Sequence, residues 1–271
     1  MSNAWQRFAV VSDIHGNLPA LDAVIAEMAA AGVDGVVNLG DIVSGPLWPA
    51  ETADRLMALG WPAIAGNHER QLLTQPAATM GAADGHAAAR LSTAQRDWLA
   101  ALPPTRWLAD DLFCCHGTPD RDLQYLLETV TPDLGRHGSV GLRAASESEI
   151  DQRLASARPA LAPATLLLCG HSHVPRAVQQ GALLLVNPGS VGLQAFDDDH
   201  PHPHRAELGS PHARWALVER AGDGRWHVQH RATSYDWEAA ARQAEVNGRG
   251  DWADALRTGR VGRLESEVVQ G

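Results

Sequence analysis

Short apolar runs that end in polar clusters dominate the first third of the chain. Phe8 to Ser12 is one, and it predicts a buried strand. Leu18, Leu21, Ile25 and Met28 follow at helical spacing, with Asn17 as N-cap, Pro19 in the first turn and Gly32 as the stop signal. Val33 to Leu39 predicts a second buried strand, Pro49 to Leu59 a second helix ended by Gly60, and Pro62 to Ala65 a short third strand. This alternation of strand and helix favours an α/β layered sheet.

The middle third is more helical. Ser92 and Gln95 form a capping-box pattern ahead of Trp98 and Leu102, and Leu112 to Cys115 predicts another strand. From Thr118 to about Pro163 the chain is polar with some helical spacing, so residues 118–163 are expected to form a helical insertion or cap on a single domain spanning 1–271. Thr165 to Cys169, Leu183 to Val186, Arg214 to Glu219 and Trp226 to Arg231 predict further strands. Tyr235 to Glu245 predicts a helix that opens a C-terminal helical tail over 235–271. Asp197 to His212, rich in Asp, His and Pro, reads as a long loop, either a solvated surface loop or one that folds over the mouth of a site.

Composition narrows the function classes. Of 271 residues, 45% are apolar and 20% charged, which is globular. The formal net charge is −10 and all 22 cationic side chains are arginine, which argues against broad nucleic-acid binding. A small phosphorylated substrate stays open, because bound metal ions reverse the local charge of a site. Three cysteines, Cys114, Cys115 and Cys169, lie in apolar runs without a C-x-x-C pair and read as buried reduced thiols. No long apolar segment precedes Asp13 and no run approaches a membrane span, so a cytoplasmic protein without a membrane partner is expected.

Candidate chemistry sits in five clusters, each at the end of a predicted strand, where open α/β sheets build their sites. They are Asp13-Ile14-His15, Gly40-Asp41, Gly66-Asn67-His68-Glu69, His116-Gly117 and Gly170-His171-Ser172-His173. In an extended segment residues two apart share a face, so Asp13 and His15, or His171 and His173, can reach one ion together. Asp41 carries two oxygens and can bridge two cations. Turns explain Gly, Asn and Asp, but not five histidines.

The ordered set of these clusters resembles the calcineurin-like metallophosphoesterase superfamily, and Asn187-Pro188-Gly189-Ser190-Val191 looks like the ending of its small bacterial branch. Glu69 stands where that family often has Asp. The resemblance implies a four-layer α/β/β/α sandwich of two mixed sheets flanked by helices. It implies that Asp13, His15, Asp41 and His173 hold one metal and that Asp41, Asn67, His116 and His171 hold the other. His68 would contact the phosphate and assist the leaving group. Mn is the first expectation for both ions, with Fe, Zn, Co or Ni as alternatives that suit a mixed nitrogen and oxygen ligand set. The implied activity is hydrolysis of a phosphomonoester or phosphodiester, with nucleotides or dinucleoside polyphosphates among the substrates; the rival reading is a non-catalytic scaffold that kept the fold. Asn17 reads either as the helix cap alone or as a phosphate contact as well. The tryptophans read as packing residues, and Arg121, Tyr125 and Arg143 lie in the expected cap within reach of substrate.

Overall fold

Phe8 and Val10 face one side of the first strand, Ala9 and Val11 the other, and all four are fully buried. A strand covered on both faces needs layers on both sides. The computed structural model describes residues 5–268 and supplies those layers. In chain order, its first half runs β1 (Arg7–Val11), α1 (Leu18–Ala31), β2 (Gly35–Asn38), α2 (Pro49–Leu59), α3 (Asn67–Thr74), α4 (Ala82–Ala88), α5 (Thr93–Ala100), β3 (Thr105–Ala109) and β4 (Leu112–Cys115). The second half runs β5 (Glu128–Val130), β6 (Leu142–Ala144), α6 (Glu147–Leu154), β7 (Leu166–Leu168), β8 (Arg176–Gln180), β9 (Leu183–Asn187), β10 (Ala195–Asp198) and β11 (His204–Glu207). It ends with β12 (Ala213–Arg220), β13 (Trp226–Thr233), α7 (Trp237–Val246), α8 (Gly250–Thr258) and α9 (Glu265–Val268).

One sheet has the order β13-β12-β1-β2, with β1 parallel to β2 and antiparallel to β12. The other has the order β3-β4-β7-β9-β8, with β4, β7 and β9 parallel and both edge strands antiparallel. The sheets pack face to face through Phe8, Val10, Val37, Leu112, Cys114, Leu166, Leu168, Val186 and Val218. Residues one position along these strands point outward. Ala9, Val11 and Leu217 meet Leu21, Val24 and Met28 of α1, while Phe113, Cys115 and Leu167 meet Ile150 and Leu154 of α6. This is the expected α/β/β/α sandwich. All three cysteines are free and buried, and burial raises their thiol pKa values.

The helix boundaries follow their caps. Asn17 accepts the Ala20 N–H, and Gly32 and Gly60 end α1 and α2 in the left-handed conformation. Ser92 and Gln95 cap α5 reciprocally, as the sequence pattern indicates. Three expectations need correction. Pro62–Ala65 forms only an isolated parallel bridge between Asn38 and Ala63. Residues 118–163 hold one helix, α6, and a two-stranded ribbon of β5 and β6, because their apolar spacing is too sparse for more than one helical face. The 197–212 loop is largely the antiparallel ribbon β10–β11, in which Asp197 pairs with Arg205. The edge strands β3 and β8 went unread because both are short and neither carries a run of buried apolar residues. The C-terminal helices α7, α8 and α9 occupy the expected tail, of which 269–271 lie outside the described residues. Among the described residues no helix is long and apolar enough to cross a membrane.

Candidate functional site

The strands β1, β2, β4, β7 and β9 end at Val11, Asn38, Cys115, Leu168 and Asn187, and the five clusters emerge just beyond these ends or, for Gly66, beyond the Ala63 bridge. Backbone bonds knit them together. Asp13 N–H donates to Gly40 O, His15 N–H to Asp41 O, and Gly170 N–H to His116 O. His171 N–H reaches across the sheets to Asp13 Oδ2 at 3.2 Å. The Asn187–Val191 segment completes the weave: Asn187 Nδ2 donates to Gly170 O and Ser172 Oγ, and Ser190 Oγ donates to Asp13 O.

These loops are not extended, as the shared-face reading of Asp13/His15 and His171/His173 supposed. Asp13, His15, Asp41, His171 and His173 all have positive φ, between 51° and 68°. Outside glycine such residues are uncommon, and each costs of order 1–3 kcal/mol. Among the described non-glycine residues His137 alone shares this conformation away from the clusters. The strain therefore concentrates where side chains must converge over sharp turns. Glycines make the close approaches: a Cβ on Gly66 would lie 2.2 Å from Asp41 Oδ1, and one on Gly192 would lie 1.8 Å from Ile14 O. A Gly192→Ala protein is expected to lose about 3 kcal/mol of unfolding free energy. Chemical denaturation measures this, and an unchanged midpoint would show that the Ile14 turn gives way freely.

Two groups of donor atoms result. Asp13, His15 and His173 form one and Asp41, His116 and His171 the other, the atoms of each lying within 4.8 Å of one another. Asn67, at the start of α3, places Oδ1 3.1 Å from His116 Nε2 and so joins the second group. Asp41 Oδ2 is 3.0 Å from the same nitrogen.

The hydrogen bonds assign the tautomers. Nδ1 of His15, His116 and His173 lies 2.7 Å from the carbonyl oxygens of Ser44, Leu39 and Leu193 respectively. A carbonyl only accepts, so each Nδ1 carries a hydrogen, and each ring when neutral presents a lone pair at Nε2. Yet His15 Nε2 faces His173 Nε2 at 3.1 Å, and His116 Nε2 faces two oxygens. Asp13 Oδ1 is buried without a hydrogen-bond partner among the described residues, 3.4 Å from His173 Nε2. Lone pairs aimed at one another repel unless a cation lies between them. The donor set therefore fits metal ions in both groups.

The electrostatics agree in direction. Burial, with the neighbouring His173, pulls His15 down to about 4. Burial, with His116, pulls His171 to about 3. Both rings are thus neutral, as a metal ligand must be. Burial also opposes charge on His116, but the adjacent Asp41 carboxylate outweighs it and holds the ring up at about 10. A proton there does the job a cation would do.

His68 lies beside the groups without joining them. Its backbone N–H donates to Asp41 Oδ1 at 3.0 Å, and its side chain is 28% exposed. Its Nδ1 lies 2.8 Å from Asp84 Oδ1 of α4, and Asp84 is buried. Burial would lower the His68 pKa, but Asp41 and then Asp84 hold it up at about 9. Sequence reasoning missed Asp84, since a lone Asp on a short helix carries no pattern. Glu69, fully buried, accepts the N–H groups of Asp41, Ile42 and Gly66. It thus holds the Asp41 turn from inside. Asn17 is also fully buried: its Oδ1 caps α1 and its Nδ2 donates to Gly192 O and the Tyr235 hydroxyl. With these atoms engaged it serves the helix and the turn. Trp252 packs edge-on to His15, with centroids 5.8 Å apart. Exposed Arg143 pairs with half-buried Glu149.

Comparisons with known proteins agree with this geometry. A metallophosphoesterase from Sphaerobacter thermophilus superposes with a TM-score of 0.67 at 22% identity, over 94% of this chain and 99% of that one. The hypothetical protein PH1004 from Pyrococcus horikoshii OT3 gives 0.69 at 18% identity, with the same shares covered. These likenesses concern the fold. In sequence, the uncharacterized protein MJ0912 of Methanocaldococcus jannaschii is 38% identical over 65 residues. That match covers 24% of this chain and 27% of that protein, so the chain aligns with about a quarter of its length. The family model described as the calcineurin-like phosphoesterase superfamily domain matches residues 7–204. That span holds both donor groups and His68, and the chain belongs to the calcineurin-like phosphoesterase superfamily.

Proposed function

We propose that this protein hydrolyses phosphate esters with a dinuclear metal centre. The observation that carries the reading is the convergence of lone pairs: His15 and His173 on one side, His116 with Asn67 and Asp41 on the other, and the orphaned Asp13 Oδ1 beside them. Asp13, His15 and His173 would hold one ion and Asn67, His116 and His171 the other, with Asp41 placed to serve both. Asp41 suits that role because Oδ2 faces the second group while its charge also bears on His15 of the first. Two divalent cations in such a site supply a nucleophile from water near neutral pH and offset charge on the phosphoryl oxygens. Manganese is our first choice, with iron, zinc, cobalt or nickel as alternatives.

The chain's own groups do the rest. The backbone carbonyls of Ser44, Leu39 and Leu193 lock the imidazoles of His15, His116 and His173, so these three rings keep their orientation during the reaction. With Nδ1 committed to Asp84, His68 carries the transferable proton on Nε2 and gives it to the departing oxygen. The substrate is a small phosphorylated molecule, a monoester or diester, with nucleotides in its range. Three buried, unpaired thiols fit the reducing cytoplasm.

The test is metal-dependent turnover. Protein stripped with a chelator is expected to lose hydrolysis of p-nitrophenyl phosphate and bis-p-nitrophenyl phosphate. Adding back manganese, to two equivalents per chain by elemental analysis, is expected to restore it. Turnover that persists without metal, or none with any of the five metals, would refute the proposal.

A further inference from the structure

His171 is held unlike the other histidines. The rings of His15, His116 and His173 are each fixed by a backbone carbonyl on Nδ1, whereas among the described residues neither ring nitrogen of His171 makes a hydrogen bond. Its backbone is tied to Asp13, but a ring can still turn about its side-chain torsions. What borders it is aromatic. The His116 ring lies 5.2 Å away at 50°, and the Tyr125 ring lies 4.8 Å away at 45°.

Tyr125 is itself locked. It is buried, at 8% exposure, and its hydroxyl is 3.0 Å from Nε2 of His204, the first residue of β11. His204 Nδ1 lies 2.9 Å from the His202 carbonyl, so it carries the hydrogen and Nε2 accepts from the tyrosine hydroxyl. His204 is 1% exposed and stands edge-on to Tyr125, with centroids 5.6 Å apart. The preceding strand of the ribbon, β10, sets Phe196 against His173, with centroids 4.6 Å apart. Neither Tyr125 nor the β10–β11 ribbon belongs to the strands that carry the ligands.

We propose that Tyr125, fixed by His204, is the positioning residue for His171, supplying by ring packing the orientation that backbone carbonyls give the other three histidines. The inference rests on the proposed two-metal reading. It makes Tyr125 and His204 parts of the metal centre, and it assigns their influence to the ion that His171 would hold.

Cobalt titration of metal-free protein separates the steps, followed by calorimetry and by the visible absorption of bound cobalt. The unsubstituted protein is expected to take two equivalents. Tyr125→Leu is expected to leave one step as it was and weaken the other about 10–100-fold, the scale of lost ligand orientation. Tyr125→Phe, which keeps the ring but loses the His204 lock, is expected to weaken the same step by less. Should the leucine variant fail to fold, His204→Ala removes the lock without touching the ring beside His171, and it must weaken that step too. Unchanged affinities, or equal weakening of both steps, would overturn the inference alone. An unsubstituted protein that binds no cobalt would overturn the metal reading with it.

Discussion

An Asp41→Asn protein is expected to keep its fold, lose its stabilisation by metal, and fall about 10³-fold or more in kcat/KM. The backbone has no reason to change. Asp41 sits at φ 53°, and asparagine visits that region as readily as aspartate. The amide oxygen can still accept the His68 N–H that Asp41 Oδ1 accepts. In the metal-free protein two charge effects oppose each other. Removing the carboxylate loses its attraction to His116, but it also removes its repulsion of the buried Asp13. The change in metal-free stability is therefore small beside what the loaded protein loses. A ligand present at a thousandfold over its Kd stabilises by about 4 kcal/mol. Without the bridging charge the affinity drops, and most of that gain disappears. The fall in rate follows because removing a single preorganised donor from a buried charged centre already costs about 10²–10³ in kcat. Thermal unfolding with and without manganese, beside hydrolysis of an aryl phosphate, measures both. A variant with the full metal-induced rise in Tm and more than a tenth of the activity would rule out Asp41 as the bridge.

The contrast between Asp41 and Asp84 marks how far the sequence could be read. Asp41 was legible because it follows an apolar run and a glycine, in series with four similar clusters; the strand ends did the grouping. The same logic found β1, β2, β4 and the helix α2, where apolar runs or helical spacing are unambiguous. Asp84 has no such signal, since it reaches His68 from a seven-residue helix whose only link to the site is tertiary. The β10–β11 ribbon was hidden by composition: Asp, His and Pro read as loop, and only the pairing with His204–Glu207 makes 195–198 a strand. The conformation of the ligand loops was misread for a different reason. Asp-x-His and His-x-His suit an extended chain, but the carbonyls of Gly40 and Asp41 accept from Asp13 and His15 across a turn and force positive φ. A dipeptide pattern cannot carry that information, because it belongs to the partner loop.

His68→Ala is expected to lower kcat by about 10²–10⁴, the range for a lost general acid, while metal content stays at two equivalents. The two readouts separate, since His68 lies outside both donor groups. The deficit should also depend on the substrate. A nitrophenolate departs with little need of a proton, whereas an alkoxide or ribose oxygen needs one. The variant should therefore be nearly normal toward aryl esters and most damaged toward alkyl esters. Asp84→Asn gives the graded version. The carboxylate 2.8 Å from Nδ1 helps hold the His68 pKa up, so the protonated ring persists to higher pH with Asp84 than without it. An acid must be protonated to act, and activity is lost as pH rises through its pKa. Neutralising Asp84 lowers that pKa and should move the alkaline limb of kcat/KM toward lower pH, with the acidic limb unmoved. The amide oxygen can still accept from Nδ1, so the ring keeps its orientation and the loss in kcat at neutral pH should be smaller than for His68→Ala. If aryl and alkyl esters suffer equally in His68→Ala, the ring only positions the phosphate, and proton delivery must come from elsewhere.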